Sequence, residues 1–367
     1  MLKIRLLKCL DRMVGGIAAR LLPSPESPPK NAPDAKRILL IRPGGIGDAV
    51  HLVPAIHTLQ RRFPDIAIDI LAEGRNSGVF SLVPGIRRVY LYDRPGQLLR
   101  VLRTRYDAVV DTEQWHRLSA VIARLVRAPV RIGYATSERA RLFTHSIPYR
   151  HDDYEVESFL HLLEPLANVA DPVPGPPWLR VPVAAGHNVD ELLGRDGERR
   201  LVVIFPGASI VERRWGAERF RAVAQWCDAR GLRVVVVGGV GDREEGTAIV
   251  SGLDAQNFAG RTSLAETSAI LERAAVVVSG DSGILHIAVG LGRPTVSLFG
   301  SGIAAKWAPR GKPHIVLNKE LPCSPCTRFG YTPPCPYATR CMREISVEEV
   351  IRAVARQLDI SKNGKSA

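Results

Sequence analysis

Three polar constellations, each placed where an apolar run ends, and one group of cysteines hold the residue types able to do chemistry. The richest is Asp281-Ser282-Gly283 with His286. It follows the β-branched run Val276-Val277-Val278, opens an amphipathic stretch, and is succeeded by a second apolar run at Thr295–Leu298. The pattern reads as strand, polar turn, helix, strand. In a parallel sheet the carboxyl ends of the strands face the ligand crevice, and the free N–H groups at a helix start form an anion site. The spacing predicts that the N–H groups of Ser282 and Gly283 point at a ligand, with His286 one turn further on. A lone histidine on an apolar helix face is more often a satisfied core group. Asp281 beside it, and the strand-end placement, favour the functional reading.

The second constellation is Gly44-Gly45-Ile46-Gly47-Asp48, after the apolar run Arg37–Ile41. Glycines between a strand and a helix let a ligand approach the backbone closely. A dinucleotide fingerprint would need glycine at position 50, which is Val50, although Glu73 closes the next strand where a ribose-binding acid would sit. Asp48 fits two roles, helix cap and general base, and both require its carboxylate at the ligand-facing end of the strand. The third is Pro206-Gly207-Ala208-Ser209 followed by Glu212-Arg213-Arg214-Trp215. The Ser209 hydroxyl and the Arg213 guanidinium suit phosphate oxygens; a basic loop with Trp215 packed beneath it is the plainer alternative. Last comes Cys323-x2-Cys326-x8-Cys335-x5-Cys341. Four such cysteines can hold zinc or an iron–sulfur centre. The final spacing is looser than in paired zinc-ribbon cysteines, so free thiols in a proline-rich loop are the favoured reading and a metal the weaker one.

The elements that must position these residues alternate strand and helix throughout. Expected strands are Arg37–Ile41, Ile66–Leu71, Arg88–Tyr92, Ala108–Asp111 and Val130–Gly133, and a second series opens at Leu201–Phe205 and continues at Arg233–Val237. Helices are expected over 49–63, 217–230 and 243–250. Ser263/Glu266 and Ser346/Glu349 form capping boxes for two more, the last ending near Leu358. Pro54 bends the 49–63 helix unless its first turn is irregular. Such alternation means doubly wound parallel sheets, and 367 residues exceed one ordinary core. The expected organisation is an amphipathic segment and linker (1–35), a first Rossmann-like domain (36–180) and a second (181–367), separated near the run Pro172, Pro174, Pro176, Pro177, Pro182. This is an α/β fold of the GT-B type, with ligands in the cleft between two Rossmann-like domains.

A net charge of +13 favours acidic partners such as phosphates or an anionic membrane surface. The basic residues are scattered and no nucleic-acid-binding signature is present, so nucleic acid is not expected as a partner. No secretory signal or membrane-spanning run is seen, which implies a cytoplasmic location with reduced thiols. Leu6, Leu10, Met13, Ile17 and Leu21 recur at helical spacing among Lys3, Lys8, Arg12 and Arg20. Two readings stand for this segment: a helix docked on the body, or a basic helix lying on the inner membrane leaflet. Gly15-Gly16 weakens either.

Together the motifs resemble glycosyltransferase family 9, the ADP-heptose:lipopolysaccharide heptosyltransferases. The matching pieces are RILLIRPGGIGDAVHLVPAIHTLQRRFPDIAIDIL, FPGAS…RRW and VVVSGDSGILHIAVGLGRPTVSLFG, and the likeness runs from about Arg37 to Leu358. The resemblance implies an inverting GT-B transferase that needs no metal or other cofactor and takes a nucleotide sugar. Asp48 matches the family's proposed general base, in a loop with Gly44, Gly45 and Gly47. Arg213 stands where many members carry a phosphate-binding lysine, and Ser282 replaces the commoner threonine. Asp281, Gly283 and His286 match directly, and Ser209 lies in the matching loop. The donor is then expected to be ADP-heptose and the acceptor a lipopolysaccharide-core-type glycolipid at the inner membrane face. A non-catalytic nucleotide-sugar or dinucleotide-binding protein, with Asp48 a mere cap, is the leading alternative; a metal-dependent redox protein is a third.

Overall fold

The computed structural model describes residues 11–26, 35–167, 175–194, 199–328 and 331–363. Lys3, Leu6, Lys8, Cys9, Leu10, Pro172 and Pro174 lie outside the described residues, as do the Arg12 side chain and positions 27–33 of the linker. The chain divides into two compact units, Met1–Gly175 and Pro176–Ala367. Residues 176–180, which the proline pattern grouped with the first domain, fall in the second unit. The reason is local: Trp178 and Leu179 are buried, and both backbone N–H groups donate to the carbonyl of Gly290, at 2.6 and 2.9 Å.

The first unit holds a parallel sheet of β1 (Arg37–Arg42), β2 (Ala67–Ala72), β3 (Ile86–Leu91), β4 (Ala108–Asp111), β5 (Val130–Tyr134) and β6 (His145–Ile147), in the order β3-β2-β1-β4-β5-β6. The second holds β7 (Leu201–Phe205), β8 (Arg233–Val236), β9 (Ala255–Asn257), β10 (Val276–Gly280), β11 (Thr295–Phe299) and β12 (His314–Asn318), in the order β12-β11-β10-β7-β8-β9. Each is the doubly wound order in which the first and fourth strands of the unit lie side by side. Central strands covered on both faces by helices read as unbroken apolar runs, and β7 and β10 are buried along their whole length.

That order fixes where ligands can go. In an open α/β sheet the crevice opens beyond the carboxyl ends of the strands, where the winding reverses. In the first unit this point lies between β1 and β4, in the second between β7 and β10. The loops that leave those four strands carry Gly44–Asp48, Thr112-Glu113, Pro206–Arg213 and Asp281–Gly283.

Pro54 has the effect its ring dictates. A proline inside a helix loses a donor and clashes with the carbonyl four residues back. The helix therefore divides at Leu52 into Ile46–His51 and Val53–Arg62, and Pro54 occupies the first turn of the second piece. Both capping boxes form: Ser263 and Glu266 bond reciprocally at 2.8 and 3.2 Å, as do Ser346 and Glu349. The final helix spans Val347–Asn363, one turn beyond the expected end. No helix among the described residues is long and apolar enough to cross a membrane.

Candidate active site

In the first unit the loop after β1 turns at Gly44, whose φ of +109° suits glycine. A Cβ there would also lie 2.9 Å from Nη2 of Arg42, so two independent demands meet at one position. Gly45 is the N-cap of the Ile46–His51 helix, with Gly47 and Asp48 in its first turn. Asp48 is thus not the cap. Its Oδ2 sits over the glycine loop, 3.3 Å from where a Gly45 Cβ would stand, at a helix terminus whose partial positive charge favours an anion. Glu73, the acid the dinucleotide reading needed, is instead paired with Arg75 at 2.6 Å.

Beneath Asp48 lies a buried polar lattice that the local pattern did not announce. Arg42, at the end of β1, donates from Nε to the Pro43 carbonyl (2.6 Å), from Nη1 to the Thr112 carbonyl (2.7 Å) and from Nη2 to Glu113 Oε2 (3.2 Å). It therefore ties the two strand ends that flank the crevice. Burial works against its charge, but the carboxylates of Asp48, Glu113, Glu155 and Asp111 outweigh that and hold its pKa above the usual value. Burial would likewise push Glu113 up, yet Arg42, His116 and Arg139 keep it below the ordinary carboxylate range. At Asp111 burial prevails over the Arg139 ion pair (2.5 Å) and the carboxyl is raised. The lattice thus sets the buried Arg42 charge within reach of the half-buried Asp48 carboxylate.

In the second unit Arg213, closing the short turn Val211–Arg213, meets Asp281: Nη1 and Oδ2 are 2.7 Å apart. The approach is close but poorly directed, so Asp281 Oδ2 and Arg213 Nε are both buried without a well-formed hydrogen bond. Charge across 2.7 Å, rather than directed hydrogen bonding, holds the pair together. Glycines make the approach possible. A Cβ at Gly302 would fall 2.2 Å from Asp281 Oδ2, and one at Gly280 3.1 Å from the Arg213 carbonyl. His286 Nε2 stands 3.9 Å from Asp281 Oδ1, both side chains buried. Ser282 proves to be the N-cap of the Gly283–Gly290 helix. Its hydroxyl accepts from the Leu285 N–H (3.2 Å) and shares a 2.8 Å bond with Ser279. The helix therefore starts where the spacing placed it, with Ser282 as its cap and Gly283 as its first residue. Ser209 is exposed, while Trp215 is buried and donates to the Ile345 carbonyl at 2.9 Å.

Asp242 is a further residue the motifs did not mark. Its carboxylate receives the Gly239 N–H at 2.8 Å, and a Cβ on Gly207 would meet its Oδ1 at 2.3 Å, so the β7 and β8 loops close on one acid. Glycine-rich Gly238-Gly239-Val240-Gly241-Asp242 after an apolar strand was the available signal.

Cys323, Cys326, Cys335 and Cys341 line one cavity of about 200 Å³ with Glu212, Ser301 and Tyr337. They carry free thiols, and among the described residues no group of three or more Cys, His, Asp or Glu side chains is arranged to hold a metal ion. Cys227 is buried in the core and its thiol is pushed up to about 12 by that burial. Alkylation of the native protein near neutral pH, followed by peptide mass mapping, should label exposed Cys323 and spare Cys227 until the protein is unfolded.

Two Rossmann-like units, each with its polar loops beyond the carboxyl ends of the strands at the switch point, are the architecture of the GT-B glycosyltransferases. The chain belongs to glycosyltransferase family 9 (heptosyltransferase), whose family model matches residues 96–333. It is 29% identical over 288 residues to lipopolysaccharide heptosyltransferase 3 of Escherichia coli, covering 72% of this chain and 83% of that one. Lipopolysaccharide heptosyltransferase 1 of Pseudomonas aeruginosa is 25% identical over 314 residues, covering 80% and 86%. The fold matches that of E. coli ADP-heptose lps heptosyltransferase II with a TM-score of 0.74 at 22% identity, over 89% of this chain and 99% of that one. A family 9 glycosyltransferase from Veillonella parvula gives a TM-score of 0.75 at 20% identity, over 91% and 99%.

Proposed function

We propose that this glycosyltransferase moves heptose from ADP-heptose onto a lipopolysaccharide-core-type acceptor, with inversion, at the inner face of the cytoplasmic membrane. The names of its relatives support the sugar and the acceptor class. The observation that carries the chemistry is the placement of opposite charges at the two switch points: Asp48 beyond β1, Arg213 beyond β7.

In this reading Asp48 takes the proton of the acceptor hydroxyl as its oxygen forms the new bond to the anomeric carbon. The bond from that carbon to the phosphate oxygen breaks, and its electron pair leaves with the nucleoside diphosphate. Arg213 and the N–H groups at the start of the Gly283–Gly290 helix meet the charge that develops there. Asp281 takes a donor hydroxyl, and His286 orients Asp281. Ser209 and Ser282 add hydroxyls at the rim of the same site, and Gly44, Gly45 and Gly47 keep the acceptor side open. The chain thus provides both charges the displacement needs, and no added cofactor is assigned.

The donor is tested by thermal shift with ADP-, UDP- and GDP-sugars, because a ligand that binds only the folded state raises apparent stability. ADP-heptose should raise the melting temperature most. A larger shift with a UDP- or GDP-sugar would reject ADP-heptose as donor. Arg213→Gln should weaken donor binding by about ten- to hundredfold, the worth of a charge-assisted hydrogen bond. Calorimetric titration with ADP checks it, and unchanged affinity would remove Arg213 from the site.

A further inference from the structure

We infer that the Asp11–Leu21 segment is a built-in membrane foot, which seats the first unit on an anionic lipid surface. The inference concerns a different surface from the sugar-transfer site, and its test needs no substrate.

The segment is a π turn (Asp11–Gly15) running into a short helix (Gly16–Leu21), and its inner face is firmly held. Asp11 Oδ1 accepts the backbone N–H groups of Arg117 (2.7 Å) and Leu118 (2.8 Å), so it caps the Arg117–Leu125 helix from far away in sequence. Burial would push the Asp11 carboxyl up, but these bonds and His116 hold it below its ordinary value. Gly15 lies so close that a Cβ would stand 3.1 Å from Arg117 Cβ, and Ala19 is fully buried in the first unit's core. Arg124 Nε holds the chain just beyond, donating to the Pro23 carbonyl at 2.9 Å. The pair Gly15-Gly16, which weakens the helix in isolation, is what lets it dock.

The outer face is the opposite. Met13 is 64% exposed, Val14 52%, Ile17 59% and Leu21 79%, and Leu125 on the neighbouring helix is 50% exposed. Residues 13, 17 and 21 fall on one side of a helix at intervals of four. An exposed apolar stripe on an element pinned from behind marks an interaction surface. Both readings of the sequence are therefore combined in one element, docked on its inner side and open on its outer.

Charge selects the occupant. Arg20 and Arg141 are exposed, with the Arg141 guanidinium donating to the Arg20 carbonyl and Glu138 3.8 Å from Arg20, and Arg127 is exposed two residues beyond Leu125, in a chain of net charge +13. A second copy placed face to face would bring those arginines against their own counterparts. A bilayer carrying anionic headgroups offers hydrocarbon for the stripe and negative charge for the rim. A shallow amphipathic foot of this kind needs no spanning helix.

The test is flotation of the full chain with vesicles of 30% phosphatidylglycerol in phosphatidylcholine, beside vesicles of phosphatidylcholine alone. The wild-type chain should float with the anionic vesicles. The double variant Ile17→Asp/Leu21→Asp should lose at least about tenfold in binding, since two large apolar side chains no longer enter the interface. Arg20→Glu/Arg127→Glu should weaken binding by about fivefold for each arginine removed. All four positions are exposed, so the melting temperature should hold and exclude misfolding. Equal flotation of wild type and the Asp double variant, or no flotation of wild type, overturns the proposal. So does a wild-type dimer in size-exclusion chromatography that this variant loses, which would give the face to a second copy.

Discussion

Asp48→Ala is expected to lower turnover by about 10²- to 10⁴-fold, the usual worth of a positioned general base, while leaving ADP affinity within about twofold. The two quantities separate because Asp48 lies in the first unit and the groups proposed to bind the donor lie in the second. The fold should tolerate the change. Asp48 is only partly buried, and Arg42 beneath it keeps Glu113 and two backbone carbonyls as partners. Asp48→Asn sharpens the result, because it keeps the shape and removes the basicity. Steady-state rates with a soluble acceptor and calorimetry with ADP make the measurement. Turnover unchanged in either variant would mean that the acceptor proton goes elsewhere, and would leave Asp48 a structural residue.

The second large effect concerns stability. Arg139 and Asp111 are both fully buried and paired at 2.5 Å, and Arg139 Nη1 also donates to the Glu113 carbonyl. Arg139→Met leaves the Asp111 carboxylate buried without its counter-charge, which costs about 3–5 kcal/mol. The first unit should then melt about 6–20 °C lower. The sign of the pH dependence follows from Asp111, whose folded pKa is already raised by burial against the pull of Arg139. Without Arg139 it rises further. A buried acid with a raised pKa imposes its penalty only where the unfolded chain would be ionised. The deficit of the variant should therefore be full near neutral pH and shrink as pH falls towards the ordinary carboxylate range. Melting curves of both proteins at pH 8 and pH 5 read this directly, and an equal deficit at both would show that lost packing, not buried charge, is responsible.

Much of the second unit's polar loop cluster is legible in the sequence alone. Asp281-Ser282-Gly283 sits at a strand-to-helix junction because a β-branched run, a turn and an apolar helix are all local patterns, and the structure places the junction there. The same holds for β4 and β7, whose ends fall where the apolar runs stop, and for the two capping boxes. Pro54 announced an irregularity, and the break at Leu52 is its outcome.

Other features depend on which strands become neighbours, and no local pattern encodes that. Arg42 meets Glu113, 71 residues later, because β1 lies beside β4, and Arg139 meets Asp111 across 28 because β5 lies on the other side of β4. Arg213 pairs with Asp281 because β7 lies beside β10. In one dimension these are ordinary charged residues among fifty Lys and Arg and thirty-seven Asp and Glu. Periodicity and turn chemistry act over a few residues, so they specify elements and the loops at their ends. Sheet order acts across the whole unit, and it alone decides which loop ends meet and which charges are buried together.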